Sequence, residues 1–428
     1  MDKAATTRHL SVDQEMLPIP PNVGKSASRR ISPKRPAVET AGLADVFPYY
    51  AGFGFDWARG RLGSLGLGDS ALVLDPWNGS GTTTLAAQTI GLRSIGIDLN
   101  PVANKVAQLR SSVNSVTAAI IDAPAKSSRQ RPENDALQAW FHESTVARFR
   151  DWTRTFEAAG VNNSLLGYVA LFRVVKKLSK KFEGSNPTWV KRCREPADLI
   201  EVSHDELDRT IILEQEYVAN RLGASPQQEQ SPLLLTASAT EIPLKNDCVD
   251  AVLTSPPYLT RIDYAVAYAR ELAILGIDIS QDRSLRLALM GTTLTRADQG
   301  LKIELLSAIS ADLLLKVENH KSKASGGYYL KQARQYLSDL TRALEEITRV
   351  CKPGAHMMLV VQDSYYKDIP VNLADICIAE SELRGWELLG RDNFAVKRTL
   401  TALNTSAQAY KKGEVAETVI EFRSVNSG

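Results

Sequence analysis

The fold of this chain is decided by the stretch Asp75-Pro76-Trp77-Asn78-Gly79-Ser80-Gly81-Thr82-Thr83-Thr84. An apolar strand at 71–74 precedes it, a helix follows, and a second strand at 94–97 ends in Asp98. Glycines in such a turn let the backbone approach a ligand, and an acid about 20 residues on accepts a ribose hydroxyl. The pattern predicts a nucleotide-binding βαβ unit. A plainer alternative for Asp98 is a helix N-cap ahead of Pro101.

The same turn argues against two familiar ligand classes. No lysine follows Gly81, so the turn is not a phosphate-cradling P-loop, and Thr84 stands where a dinucleotide fingerprint has its third glycine. What remains is a ribose-bearing ligand that needs little phosphate binding. S-adenosylmethionine fits, because its ribose suits Asp98 and its amino-acid end suits Asp75 and the glycine turn.

A second strand end carries Thr254-Ser255-Pro256-Pro257-Tyr258 after the apolar run 249–253. Two prolines cannot extend a strand, because each lacks an N–H and has a fixed φ. The chain must leave the sheet there, at the edge where open α/β sheets bind ligands. A hydroxyl, the Pro256 carbonyl and an aromatic ring together suit a flat, hydrogen-bonding substrate such as a nucleobase. The plainer alternative is a strand-ending turn with a core tyrosine.

The remaining strands are predicted at 233–235, 356–361, 386–389 and 418–422, which brings the total to seven. Helices alternate with the strands until the last two. No helix-length apolar pattern separates those two, so we expect them to pair antiparallel. Gly326-Gly327-Tyr328-Tyr329 predicts a break before an amphipathic helix at 336–350. The fold class is therefore α/β, a Rossmann-like seven-stranded sheet with helical insertions.

Composition narrows the class of protein. With 428 residues, 44% hydrophobic and 23% charged, and a net charge of +2, the chain is an ordinary globular sequence. Its four cysteines form no C-x-x-C pair, which predicts reduced thiols and neither a zinc site nor a disulfide framework. No apolar run approaches the ~18 residues of a membrane span, and no signal-peptide core is visible. These features predict a cytoplasmic protein without a membrane segment.

Basic residues are concentrated in two regions. Residues 1–40 are rich in Pro, Ser, Lys and Arg without a period, which predicts a flexible basic arm. Residues 111–230 turn helical, and an apolar side formed by residues such as Leu171 and Val175 leaves a lysine face opposite. That face is either merely solvated or contacts phosphate. Its residues are Lys176, Lys177, Lys180 and Lys181, followed by Lys191 and Arg192.

Three motifs together carry a resemblance to a known family: Asp75–Thr83, Gly96–Pro101 and Thr254–Tyr258. With them the chain resembles the amino-group DNA methyltransferases, and its Ser-Pro-Pro-Tyr form is similar to the cytosine-N4 branch. The resemblance covers about 47–110 and 233–390. It implies a seven-stranded methyltransferase sheet with an antiparallel last strand, S-adenosylmethionine as methyl donor and DNA as substrate.

The resemblance also implies roles for individual residues. Ser255 and the Pro256 carbonyl would accept the amine hydrogens, while Pro257 and Tyr258 complete the loop, with Tyr258 stacking on a base extruded from double-stranded DNA. Ser238 stands where the family's third strand often ends in an acid. The cofactor-binding residues would be Tyr50, Phe53, Asp75, Trp77, Gly79, Gly81, Thr82, Asp98, Leu99, Ser238 and Ala239. The DNA-binding residues would be the six basic residues above and Arg261.

The predicted domain division follows from these assignments. Residues 41–110 and 231–428 would form the catalytic domain, and 111–230 a helical insertion that is a possible DNA-recognition region. Cognate restriction or defence proteins of a prokaryotic cell are the expected partners, with the nucleoid as the site of action. An adenine-N6 target, an RNA or protein-glutamine N-methyltransferase, and a non-enzymatic nucleic-acid-binding module stay open as alternatives.

Overall fold

The computed structural model of the protein describes residues 31–35, 41–49, 52–112, 119–125, 134–184, 189–223, 231–259, 262–297, 300–396 and 415–425. Most of the predicted basic arm, together with Tyr50 and Arg261, lies outside the described residues. In the described part of the chain, no helix combines the length and apolarity that a membrane crossing requires.

The described ranges contain nine strands and twelve α-helices. The strands are β1 (Leu72–Asp75), β2 (Arg93–Ile97), β3 (Leu233–Leu235), β4 (Val249–Thr254), β5 (Cys351–Gln362), β6 (Ser364–Tyr366), β7 (Ile369–Val371), β8 (Trp386–Ala395) and β9 (Ala416–Ser424). The α-helices are α1 (Phe55–Gly63), α2 (Thr82–Gln88), α3 (Pro101–Ser111), α4 (Glu143–Ala158), α5 (Val161–Leu178), α6 (His204–Gly223), α7 (Tyr264–Ala267), α8 (Ala269–Ile274), α9 (Ser284–Ala288), α10 (Ala308–Glu318), α11 (Leu330–Val350) and α12 (Leu373–Glu382).

The main sheet has seven strands in the order β3-β2-β1-β4-β5-β9-β8. The first five are parallel, and β9 runs antiparallel to both of its neighbours, β5 and β8. This confirms the predicted α/β sheet with an antiparallel last strand. The expected pairing of the last two strands is also confirmed, over ten residues of β8 and nine of β9.

The strand order reverses between β1 and β4. From β1 the chain continues outward to β2 and β3, whereas β4 continues to β5 on the other side. At such a switch point, neighbouring connections diverge and open a crevice beyond the carboxyl ends of the strands. β1 ends at Asp75 and β4 at Thr254, so the glycine turn and the proline loop both lie at this crevice.

Apolar clusters cover both faces of the sheet. Successive side chains of a strand point to opposite faces, and accordingly Val73 packs with α1 and α2 while Leu74 packs with α11. α11 contributes Leu337, Leu340 and Leu344 to the second cluster. Helices thus sandwich the sheet and hold the strand ends that carry the two motifs.

The helical insertion shares its core with helices that flank the sheet. Trp152 of α4 and Phe172 of α5 lie in one buried cluster with Leu109 of α3 and Leu272 of α8. The sequence pattern at 171–182 predicts one helix that carries all four lysines, but the helix ends at Leu178. Lys180 and Lys181 therefore lie in a separate 3-10 turn. The division into domains stays a prediction.

Three local features differ from the sequence-based expectations. Residues 31–35 of the predicted flexible arm lie against the predicted catalytic domain. Lys34 forms an isolated β-bridge with Phe53, and the Gly54 N–H donates to the Pro33 carbonyl at 2.9 Å. The expected break at Gly326–Tyr329 is wrong, because Ser325–Tyr329 forms a π-helical turn that runs directly into α11. The β6–β7 hairpin was not predicted.

Candidate active site

The glycine turn requires left-handed backbone at two positions. Gly79 has φ +50° and Gly81 has φ +84°, conformations that glycine adopts without steric cost. A Cβ at position 79 would lie 3.0 Å from the Tyr49 ring, and one at position 81 would lie 2.9 Å from the Cβ of Ala107. Gly79 therefore admits an aromatic ring against the turn, whereas Gly81 allows α3 to pack closely.

Asp75 connects the glycine turn to the proline loop. The Thr83 hydroxyl donates to its Oδ2 and the Thr254 hydroxyl to its Oδ1, each at 2.6 Å, and the Trp77 N–H reaches Oδ1 at 3.1 Å. Burial raises the pKa of Asp75 to about 6, although these hydrogen bonds favour its charged form. Because Thr254 directly precedes Ser255, this carboxylate holds the strand end that presents the serine.

Asp98 faces the cleft from the end of β2. Its Oδ2 accepts from the Gly79 N–H at 2.9 Å and its Oδ1 from the Asn100 N–H at 2.8 Å. Desolvation raises its pKa to about 6, while the two N–H donors lower it. The N-cap of α3 is Asn100, whose side chain accepts from the Val102 N–H at 3.1 Å. The plainer alternative, Asp98 as the N-cap, is therefore wrong.

The proline loop is held from two sides. The Tyr336 hydroxyl of α11 donates to the Pro257 carbonyl at 2.8 Å. Gly291 packs against the loop, since a Cβ there would lie 3.5 Å from both the Pro257 Cβ and the Tyr258 carbonyl oxygen. Ser255 Oγ lies 3.2 Å from the Tyr258 hydroxyl, and Tyr258 is 9% exposed. The tyrosine is thus buried, with its hydroxyl at the serine.

One cleft joins the two loops. It encloses about 930 Å³ of empty space, part of which is open to solvent. The cleft is continuous from Asp98 to Ser255, so the two motifs face a common space. The predicted site residues that line it are Phe53, Asp75, Trp77, Gly79, Thr82, Asp98, Leu99, Ser238, Ala239, Ser255 and Pro257.

Some predicted site residues lie outside this lining. Gly81 packs on α3, Tyr258 lies in the apolar cluster under α11, and Pro256 is adjacent to the lining without being part of it. Tyr49 also lines the cleft. It belongs to the aromatic and glycine-rich run at 47–55, whose Tyr49–Phe53 segment is predicted to stand where the family has its N-terminal cofactor motif. Four further lining residues come from segments without a motif and were not predicted: Arg35, Tyr264, Met290 and Asp339.

An aromatic stack forms one wall. The Tyr49 ring lies 4.8 Å from Tyr268 at an interplanar angle of 8°, and 6.1 Å from Tyr264 at 18°. Tyr264 is partly exposed at the cleft, and burial raises the pKa of Tyr49 and Tyr264 well above that of a free tyrosine. Both hydroxyls therefore stay neutral, and the wall offers uncharged ring surface.

The charge of the cleft is mainly negative. Asp75, Asp98 and Asp339 line it, and Arg35 is the one lysine or arginine among the described lining residues. Carboxylates at close range repel anions and attract cations, an effect that a low-dielectric cleft strengthens. The arrangement disfavours a phosphorylated ligand and favours a cationic one.

Lys177 is exposed, as the predicted lysine face requires, whereas Lys176 is not. Lys176 is half-buried with its ammonium 5.7 Å from the Phe47 ring centroid, and desolvation lowers its pKa. Lys177 lies 3.5 Å from a carboxylate oxygen of Glu214. The protein therefore covers much of Lys176, whereas the Lys177 side chain is 62% exposed despite its ion pair.

The other predicted basic residues differ in whether they have a protein partner among the described residues. Lys181 donates to the Asp198 carbonyl at 2.7 Å, and Arg192 pairs with Asp278 at 2.7 Å. These two side chains are nevertheless exposed, as are Lys180 and Lys191. A DNA-binding role for this region stays a prediction.

Comparisons with known proteins bear on these motifs. No family model matches the chain. The chain is 24% identical over 393 residues to the Type II methyltransferase M.BsoBI of Geobacillus stearothermophilus, covering 78% of this chain and 76% of that protein. It is 23% identical over 348 residues to M.AvaI of Nostoc sp., covering 72% of each. Among solved structures, a geranyl diphosphate methyltransferase matches at 8% identity over 87% of this chain and 79% of that chain, with a TM-score of 0.33. The resemblance stated from the motifs is confirmed at the level of Type II methyltransferases.

Proposed function

We propose that this relative of Type II methyltransferases transfers a methyl group from S-adenosylmethionine to the exocyclic N4 amine of cytosine in DNA. One observation carries the proposal: Asp98 and Ser255 line a single continuous cleft. A methyl donor and an amine must meet within about 3–3.5 Å to react, so their binding loops must face a shared space.

The residues of the cleft fit the proposed cofactor. Gly79 lets the Tyr49 ring lie against the glycine turn at the cleft wall, and Asp98 presents its carboxylate where a ribose hydroxyl can donate. Asp75 and Asp98 suit a ligand with positive sulfonium and ammonium groups and no phosphate, whereas the third aspartate of the lining, Asp339, is already paired with Arg296. When bound, S-adenosylmethionine supplies an electrophilic methyl group on its sulfonium. Asp98, Gly79 and the main chain near Asp75 would hold it.

The proline loop would prepare the amine. A cytosine amine is a weak nucleophile, because its lone pair is delocalised into the ring. If Ser255 Oγ and the Pro256 carbonyl each accept one amine hydrogen, the nitrogen is drawn toward tetrahedral geometry and its lone pair is freed. Tyr336 already occupies the Pro257 carbonyl, whereas the Pro256 carbonyl has no hydrogen-bond donor among the described residues. This difference supports Pro256 as the acceptor.

Tyr258 would act through both its hydroxyl and its ring. If Ser255 donates its own hydrogen to the Tyr258 hydroxyl 3.2 Å away, the serine oxygen keeps its lone pairs for the amine. Stacking of the Tyr258 ring on an extruded base requires the ring to turn out of its buried position. The partly exposed Tyr264 ring is already at the cleft wall.

Proton removal would follow methyl transfer. Serine is too weak a base to deprotonate the amine beforehand, and holding two reactants in line is worth up to ~7–11 kcal/mol. We therefore expect kcat to show no required base with a pKa near 6–7. A pH–rate profile that demands such a base would contradict this step.

The test is incubation of the purified protein with labelled S-adenosylmethionine and bacterial DNA from a methylation-free strain, followed by nucleoside mass spectrometry. We expect N4-methylcytosine, with Ser255→Ala as the inactive control. N6-methyladenine would move the target to adenine. If RNA offered in the same assay becomes labelled and the DNA does not, DNA is not the substrate. If an intact, cofactor-bound protein gives no methylated product, the proposal fails.

A further inference from the structure

One carboxylate residue that lines the cleft belongs to none of the sequence motifs. Asp339 belongs to α11, lines the cleft and is 3% exposed. Its Oδ1 forms an ion pair with the Arg296 guanidinium. Its Oδ2 is buried and has no hydrogen-bond donor among the residues that the structure describes. Half of this carboxylate is therefore satisfied by the protein and half is not.

A buried acceptor without a donor requires a physical explanation. Leaving such a group unpaired costs about 1–3 kcal/mol, more when it is charged, and native proteins rarely do so. Desolvation raises the pKa of Asp339 although Arg296 lowers it, which shows that burial outweighs the ion pair. Because Asp339 lines the cleft, a bound ligand can supply the missing donor.

The surroundings of Asp339 suit a planar ring. Tyr336, one helical turn before Asp339 on α11, holds the Pro257 carbonyl. Met290 and Pro257 line the same cleft and offer apolar surface. The segment that carries Arg296 also carries Gly291, which packs on the proline loop. Apolar walls with a few placed polar groups are typical of sites that bind and orient a flat ligand.

We propose that Asp339 Oδ2 accepts a hydrogen bond from the exocyclic amino group of a nucleobase bound in the cleft, which makes Asp339 a specificity-determining residue. The inference rests on the proposed function and goes beyond it, since neither motif includes this residue. Two nucleobases carry such an amine there: the adenine of the cofactor and the extruded target base. The target amine has only two hydrogens, so in the second case Asp339 would take the place of Ser255 or of the Pro256 carbonyl as one of its acceptors. Both bases present an exocyclic amine on a ring carbon that lies next to a ring nitrogen. The experiment separates these two sources.

The first arm measures binding without catalysis. Dissociation constants of S-adenosylhomocysteine and of S-inosylhomocysteine, whose 6-amino group is replaced by oxygen, are measured by calorimetry for the wild type and for Asp339→Asn. If the cofactor adenine is the donor, the wild type prefers the adenosyl ligand by ~10–100-fold, the range of a hydrogen bond to a charged group. Asp339→Asn then loses most of this preference.

The second arm addresses the target base. Single-turnover methylation of methylation-free DNA is measured at saturating S-adenosylmethionine. If the target amine is the donor, the preference for the adenosyl ligand is the same in both proteins, and the methylation rate constant of Asp339→Asn falls by ~10-fold or more.

Arg296→Gln is the matched control, because it removes the same ion pair and keeps the Asp339 carboxylate. Thermal melting of all three proteins reports loss of folding separately. If Asp339→Asn matches Arg296→Gln in both the ligand preference and the rate constant, Asp339 is only an ion-pair partner and the inference is overturned. If the folded wild type binds no S-adenosylhomocysteine, the proposed function itself fails, whatever the variants do.

Discussion

The cleft loops and the lysine segment of the insertion differ in where their contacts originate. In the cleft, one motif residue contacts another: Gly79 donates to Asp98, and Thr254 donates to Asp75. In the lysine segment, the partners come from elements with no motif, such as Glu214 on α6. Residues whose geometry is imposed by their own backbone and by a partner motif can be recognised in a sequence. The exposure of a surface charge depends on whatever the fold brings beside it.

The largest expected effect tests the proline loop. Ser255→Ala removes one acceptor for the amine, and loss of one preorganised hydrogen bond at a reacting group costs ~10²–10³-fold in rate. We expect that loss in the single-turnover rate constant, with the S-adenosylhomocysteine dissociation constant unchanged. Tyr258→Phe keeps the ring and removes only the hydroxyl at 3.2 Å, so its loss should be smaller. A Ser255→Ala rate within threefold of wild type would remove the serine from the mechanism.

The next effect tests the glycine turn. Asp98→Asn removes the charge that would accept the ribose hydroxyls, and we expect S-adenosylhomocysteine to bind ~10–100-fold more weakly by calorimetry. Asp250→Asn is the matched control, because Asp250 lies at the opposite end of β4 and accepts from the Leu72 N–H and Lys352. Equal weakening in the two variants would show that Asp98 has no specific role in binding.

The pH dependence of cofactor binding is a further test of the cleft loops, because two of their carboxylates titrate. Burial raises the pKa of Asp75 and of Asp98 to about 6, so both carboxylates are mostly ionised at pH 7 and mostly protonated at pH 5. A cationic ligand binds the ionised forms better. The affinity for S-adenosylmethionine should therefore be full above pH 7 and fall as the pH drops through 6, by ~10-fold at pH 5.

This pH dependence can be assigned to a residue. Calorimetry from pH 5 to 8 should show a shallower fall for Asp98→Asn, which has lost one of the two titrating groups. A constant affinity across this range in the wild type would mean that the acidic cleft does not select a cation.

The smallest effect tests the insertion. If this region contacts DNA, Lys180→Gln should weaken binding a few-fold and reduce the salt slope by about one, because Lys180 is exposed. Lys177→Gln should change less, because Lys177 already lies 3.5 Å from Glu214. Fluorescence anisotropy at several salt concentrations measures both. Identical behaviour of the two variants would contradict the division that the structure makes among these lysines.

Much of the fold could be predicted because its signals are local. The two left-handed glycines and the proline exit from β4 are requirements of the backbone at those positions. The docking of residues 31–35 and the π-helical start of α11 could not be predicted, because both depend on packing against distant segments. A role for Asp339 in the site could not be predicted for the same reason, because in the sequence it is one more polar residue of an amphipathic helix.

The sequence by itself determined the strand ends, the chemistry of the two loops and the class of the sheet, because these follow from residue periodicity and from φ restrictions that act within a few residues. Only the tertiary structure decided that Asp75 ties Thr254 to the glycine turn, that Asp339 lines the cleft, and that Lys176 is half-buried. Each of these depends on a contact between residues far apart in the chain. The energy of such a contact is set by distance and burial in the folded state, and neither can be read from one-dimensional spacing.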